Sequence, residues 1–287
     1  MNRDSTEASC ARLLHARTLR MPDTDLPPAS SPDTVLLVVH QRHSDPGRVG
    51  LRLRTMGYRV DICRHACGEP LPLDLDHYAG VAVFGGPMSA NDVHEEYIRN
   101  EIDWIPQVVQ SGTPFLGICL GAQLLARAAG GTVAEHPEGR VEIGYYPVRA
   151  TEAGKAFFPD EMRIFQWHRE GFTTPASGTL LATGDCFPEQ GFAMNGNALA
   201  IQFHPEVTEQ MNRRWLIGGA ARLVCPGAQQ PDEHVAGRRQ HDPHVDGWVD
   251  GFLRDWLALD RRDRGQLSGH ERERNTIASD AAAAAGA

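Results

Sequence analysis

From Thr34 the chain alternates between short apolar runs and amphipathic stretches closed by glycine. "TVLLVVH" (34–40) is continuously apolar, as a strand buried on both faces would be. "SDPGRVGLRLRTMG" has an Asp/Pro opening and a terminal Gly57 that frame a helix, and "YRVDICR" (58–64) alternates with period two. The pattern repeats with the strand "AGVAVFGGP", the helix "EEYIRNEIDWIPQVVQSG", the strand "PFLGI" and the helix "LGAQLLARAAGG". Strands alternating with helices predict an α/β fold, a mostly parallel sheet with helices on both faces. After Gly131 the texture changes to short strand-like pieces, "GRVEIGYYPVRAT", "EMRIFQWHREGF", "GTLLATGD", "QGFAMNGN" and "ALAIQFHPEV", which predict a small antiparallel insertion returning to the sheet. "TEQMNRRWLIGGAARL" then reads as a helix.

The ends of the chain lack this order. Residues 1–33 finish in a Pro/Ser/Asp-rich stretch and read as a flexible leader, 226–244 as a linker by composition, 245–259 as an amphipathic helix, and 260–287 as a disordered tail. The expected domain is therefore 34–225. A formal net charge of −9 argues against a general polyanion binder, so no nucleic-acid partner is expected. No run reaches the ~18 apolar residues that span a bilayer, and the first residues lack the apolar core of a secretory signal. A cytoplasmic location away from the membrane is the expectation. Six cysteines are too sparse for a disulfide framework. Cys63, His65 and Cys67 in "CRHAC" show no fourth ligand, and His234, His241 and His244 lie in polar sequence, so neither a metal nor another cofactor is expected.

Chemistry concentrates in three places. Cys119 falls between the strand "PFLGI" and the helix "LGAQLLARAA", on a turn where Gly117 and Gly121 permit close packing. A helix N-terminus there favours a thiolate, and the Leu120 amide is a candidate oxyanion donor. His204 follows the apolar "ALAIQF", and Glu206, two residues on, can fix its tautomer. The glycines of "VFGGPMS" offer a second backbone donor, assigned to Gly86.

"GICLGAQ", "FHPE" and "FGGPMS" together resemble the nucleophile segment, the His/Glu segment and the oxyanion loop of class I (triad type) glutamine amidotransferases. The resemblance runs from about Thr34 to Leu223 and is nearest to stand-alone proteins similar to the amidotransferase domain of GMP synthase, with which "VEIGYYPV" and "FQWHRE" also accord. It implies a flavodoxin-like architecture and a glutaminase. Cys119 would attack the γ-carboxamide of glutamine, His204 would protonate the departing ammonia, Glu206 would orient His204, and Gly86 with Leu120 would hold the oxyanion. Gln123, by its match to the motif, and His168 would contact the substrate. The family's usual WHGD becomes Trp167, His168, Arg169 and Glu170 here, a large cation replacing glycine. Neither an SGGxDS nor a GxxxxGK[ST] loop occurs, so an acceptor for ammonia is expected on a separate synthetase subunit. Two alternatives stay open: a γ-glutamyl peptidase or hydrolase using the same residues, and a non-catalytic protein that binds glutamine to regulate a partner.

Overall fold

A computed structural model describes residues 32–259. The leader expected over 1–33, all but its last two residues, and the tail expected over 260–287 lie outside the described residues. One nine-stranded sheet organises the chain, in the order β2-β1-β3-β4-β11-β10-β9-β6-β7. Its first five strands, β2 (Arg59–Cys63), β1 (Thr34–Val38), β3 (Tyr78–Val83), β4 (Phe115–Ile118) and β11 (Ala198–Ile201), run parallel. β1, β4 and β11 are buried at every position, which is why they read as unbroken apolar runs, whereas the edge strand β2 alternates.

The antiparallel part continues the same sheet. β10 (Glu189–Met194), β9 (Thr179–Gly184), β6 (Glu142–Ala150) and β7 (Glu161–His168) add on beyond β11. β5 (Val133–Glu135) and β8 (Glu170–Phe172) form a separate two-stranded pair. The sheet is thus parallel from the β2 edge to β11, with the flavodoxin-like order, and antiparallel from β11 to the β7 edge.

Helices cover both faces. On one side α2 (Glu96–Gln110) and α3 (Leu120–Ala128) bring Ile98, Trp104, Ile105, Leu124 and Leu125 against Val81, Val83 and Phe115. On the other, α1 (Gly47–Thr55) and α5 (Pro231–Leu257) bring Val49, Leu53, Val249, Phe252 and Trp256 against Val35, Leu37 and Ile118. α4 (Glu209–Gly218) starts at Thr208, whose side chain caps it by accepting from Met211 N.

α5 corrects the expectation for 226–244. The stretch read as a linker is mostly the first half of one 27-residue helix running through Leu257. Its polar composition misled because charges in it are partnered in the fold: Asp242 pairs with Arg48 at 3.1 Å and with Arg238 at 2.9 Å, and His234 is fully buried. The start was signalled by "QPDE", in which Gln230 and Glu233 form a capping box around Pro231. Among the described residues no helix is long and apolar enough to cross a membrane.

If α5 is an integral layer, removing one of its buried rings must be felt globally. Phe252→Ala should lower the unfolding free energy by about 3–5 kcal/mol in urea titrations. A near-zero change would mean that the segment does not dock.

Candidate active site

The carboxyl ends of β1, β3, β4 and β11 meet at one edge of the sheet, where parallel α/β folds hold their ligands. Between β4 and α3 the chain turns so sharply that Cys119 adopts φ 53°, ψ −104°. A non-glycine residue there carries strain of ~1–3 kcal/mol and persists only where its surroundings impose it. They do so on both sides: Cys119 N donates to Ile201 O at 2.8 Å, and Gln123 N donates to Cys119 O at 3.0 Å. The turn also needs bare backbone. A Cβ on Gly121 would lie 2.0 Å from Val83 O, and one on Gly117 2.6 Å from the Gly121 carbonyl.

Cys119 is 6 % exposed and lines a cavity of about 560 Å³ together with Gly85, Gly86, His204 and Glu206. His204 arrives from the end of β11, with its own N–H donating to Phe165 O at 2.9 Å. Its Nδ1 lies 2.7 Å from Glu206 Oε1, which fixes the tautomer. Gly85 shows how near the imidazole is to the cysteine. A Cβ on Gly85 would sit 2.9 Å from His204 Cε1 and 3.5 Å from Cys119 Cβ. Burial alone would lower the His204 pKa, but the Glu206 carboxylate and the Cys119 sulfur outweigh it and push the value up to about 10. The Cys63 thiol, by contrast, is pushed up to about 11, chiefly by burial and then by Glu69.

The loop that carries His204 and Glu206 is fastened from outside. Arg48, on α1, donates its backbone N–H to Glu206 O and its Nη1 to Pro205 O, both at 2.8 Å. Its remaining nitrogens reach Asp242 and Asp246 on α5, and Asp242 also accepts from Tyr145 Oη at 2.6 Å. The helix whose first half reads as a linker in the sequence therefore braces the histidine loop.

Of the residues expected around the substrate, Cys119, His204, Glu206 and Gly86 line the cavity. Leu120 is buried at the first position of α3, where helix geometry leaves its N–H without an intrahelical acceptor. Gln123 and His168 are not among the lining residues. Gln123 Nε2 donates to Glu170 O at 2.8 Å and to Gln202 Oε1 at 3.2 Å. His168 Nδ1 lies 3.0 Å from the same carbonyl, and its Nε2 lies 3.0 Å from Glu142 Oε2. Both side chains thus hold the backbone of Glu170, whose carboxylate accepts from Ser89 Oγ at 2.8 Å. Arg169, the cation that replaces glycine, is exposed, lies 3.7 Å from Glu135 and lines a separate cavity of about 260 Å³.

Three groups went unnoticed in the sequence. His40, buried at the end of β1, lies 2.9 Å from Glu101 Oε2 of α2 and 3.2 Å from Gly85 O. Trp215 meets the His204 ring edge-on at 5.0 Å and Trp167 at 5.8 Å. Arg42, Arg214 and Arg222 complete the outer wall. No sequence signal pairs His40 with Glu101, 61 residues away. Trp215 was visible only as one more apolar position of a helix. Among the described residues no cluster of three or more His, Cys, Asp or Glu side chains could hold a metal ion.

Comparison with known proteins identifies the family of the chain. The family model "Glutamine amidotransferase class-I" matches residues 49–218, and the chain belongs to that family. It is 35 % identical over 185 residues to the glutamine amidotransferase-like protein YfeJ of Salmonella typhimurium, a match covering 61 % of this chain and 76 % of that one. It is 30 % identical over 189 residues to the GMP synthase of Aeropyrum pernix, covering 62 % of this chain but only 35 % of the synthase. A glutamine amidotransferase structure from Thermotoga maritima superposes with a TM-score of 0.71 at 29 % identity, covering 79 % of this chain and 98 % of that one. One from Methylobacillus flagellatus gives 0.72 at 25 % identity, covering 79 % and 95 %.

The raised His204 pKa makes a signed prediction. A histidine held above its unfolded value near 6.5 contributes stability that is fully present below about pH 6.5 and is lost as pH climbs toward about 10. Glu206→Gln removes the carboxylate that outweighs burial. His204 should then titrate well below the wild-type value in NMR. The stability deficit of the variant should be largest near pH 6 and shrink toward pH 10. An unchanged titration would show that Glu206 does not hold the ring charged.

Proposed function

We propose that the chain is a cysteine hydrolase of γ-carboxamides, with glutamine the default substrate. The observation that carries the proposal is the strained Cys119 backbone at the start of α3 with the Glu206-paired His204 ring beside it. The Cys119 thiolate attacks the side-chain carbonyl carbon of glutamine, and the carbonyl oxygen becomes an oxyanion facing the amides of Gly86 and Leu120. His204, charged at neutral pH, gives its proton to the departing nitrogen as the C–N bond breaks, leaving a γ-glutamyl thioester and ammonia. Neutral His204 then takes a proton from water, whose oxygen attacks the thioester and releases glutamate and the thiolate. Glu206 keeps Nε2 aimed at the reaction throughout. Losing one oxyanion donor typically costs ~2.7–4 kcal/mol of barrier, so the backbone at Gly86 matters despite its lack of a side chain. Ammonia released in this way would pass to a synthetase partner, a reading supported by the GMP synthase relatives.

Cys119→Ala should abolish ammonia release from glutamine while leaving the thermal midpoint close to that of the wild type. A glutamine-mimicking electrophile should modify Cys119 and spare the other cysteines. A folded protein that neither labels nor releases ammonia would instead favour a binding role.

The cavity itself favours a second reading. Its roughly 560 Å³ exceeds what a departing ammonia requires, and beyond His204 it is walled by Trp215, Trp167, Arg214 and Arg222. That wall suits a γ-glutamyl conjugate whose leaving amine is bulky and carries a carboxylate. On this reading γ-glutamyl amino acids are cleaved with higher kcat/KM than glutamine, and Arg214→Ala lowers kcat/KM for the conjugates by about 10-fold, the effect of losing ~1.4 kcal/mol, with glutamine unaffected. Turnover of glutamine alone would exclude it.

A further inference from the structure

The peptide between Gly85 and Gly86 lies between two buried histidines. On the cavity side are His204 and Cys119, against Gly85. On the other is His40, packed so closely that a Cβ on Gly86 would lie 2.9 Å from His40 Cβ. His40 Nδ1 is 3.2 Å from Gly85 O, and Nε2 is 2.9 Å from Glu101 Oε2. With Glu101 ionised both partners are acceptors, so both ring nitrogens donate, as only the imidazolium does. The His40 and Glu101 side chains are wholly buried. Burial by itself would lower the His40 pKa, yet the Glu101 carboxylate outweighs it and the value is raised. The ring is therefore a fixed double donor, anchored on α2 and pulling on one carbonyl.

That pull sets the direction of an amide. The described chain has no cis peptide, and in a trans peptide the C=O and the following N–H point opposite ways. With Gly85 O drawn toward His40, the Gly86 N–H faces away from it. That N–H has no acceptor among the described residues. Two consecutive glycines give the least backbone resistance to rotation of their peptide, so a fixed orientation has to come from outside the loop.

We propose that His40, held by Glu101, is a positioning residue that locks the Gly85–Gly86 peptide with its N–H turned toward the oxyanion formed over Cys119. This rests on the reading of Gly86 as an oxyanion donor, and the experiment separates the two. Four proteins are compared: wild type, His40→Leu, His40→Asn, which puts a side-chain amide where Nδ1 stood, and Glu101→Leu. In Glu101→Leu the ring loses the carboxylate that anchors Nε2, and the aliphatic side chain offers it no hydrogen bond. His40→Leu and Glu101→Leu should each cut kcat for γ-carboxamide hydrolysis, in His40→Leu by about 10²–10³-fold, the typical effect of one lost oxyanion donor, with KM little changed. His40→Asn should recover much of the loss. Alkylation of Cys119 by iodoacetamide, which forms no oxyanion, should proceed at the wild-type rate in all four. In NMR, the Gly85 carbonyl ¹³C shift should move in His40→Leu and Glu101→Leu and return toward the wild-type position in His40→Asn.

An unmoved Gly85 carbonyl overturns the proposal whether or not the protein hydrolyses glutamine. So does a loss of kcat matched by an equal loss of Cys119 alkylation and of thermal stability, which marks a merely structural pair. If the carbonyl shifts as expected but the wild type turns over no γ-carboxamide, the lock stands and the hydrolase reading falls. If His40→Leu does not fold, Glu101→Leu makes the same comparison.

Discussion

One backbone torsion organises this protein. Cys119 can hold φ 53° only because its amide is hydrogen-bonded to Ile201 on β11 while its carbonyl starts the α3 ladder at Gln123. Each of those contacts needs α3 pressed directly onto the sheet, and that in turn needs bare glycine at 117 and 121, where a methyl group would strike main-chain atoms. The strain is small beside the surrounding burial, since β1, β4 and β11 have no exposed position and both sheet faces are covered. The parallel strands supply the rigidity, and the turn uses it to hold a sulfur on the cavity wall.

Around that turn the same device appears three times: a buried histidine donating to a buried carboxylate, His204 to Glu206, His40 to Glu101, and His168 to Glu142. Burying such pairs is expensive, and a buried pair is weak evidence of stability. Their positions give another reason for them. His204 stands at the cysteine, His40 behind the diglycine loop, and His168 beneath the carbonyl of Glu170. Each fixes a ring whose second nitrogen faces the site or the backbone that shapes it. A carboxylate partner gives each ring a defined orientation.

The antiparallel flank and α5 extend this support outward. Arg48 joins three elements, gripping the 204–206 loop from α1 and reaching Asp242 and Asp246 on α5. Tyr145 on β6 meets the same Asp242. The loop that presents His204 is therefore tied at its backbone to a cation whose counter-charges lie almost two hundred residues further along the chain. Beyond His204, Trp215 and Trp167 form an aromatic wall that continues from this scaffold into the cavity.

Periodicity and local motif are properties of neighbouring residues, and the sequence by itself determined what depends on them. The apolar runs marked the buried strands, and the glycines on either side of Cys119 marked a tight strand-to-helix turn. "FHPE" put a histidine and its carboxylate two residues apart, so their hydrogen bond was legible before any fold. Composition failed at 226–244, because charge looks solvated until its partner is known, and Arg48 is far away in sequence. Gln123 and His168 were read from motif matches toward the substrate, but the fold turns both to the Glu170 carbonyl. Only tertiary structure decided these cases, together with the left-handed torsion of Cys119 and the meeting of His40 with Glu101. Each depends on where the sheet brings distant segments into contact, and no local pattern of residues encodes that distance.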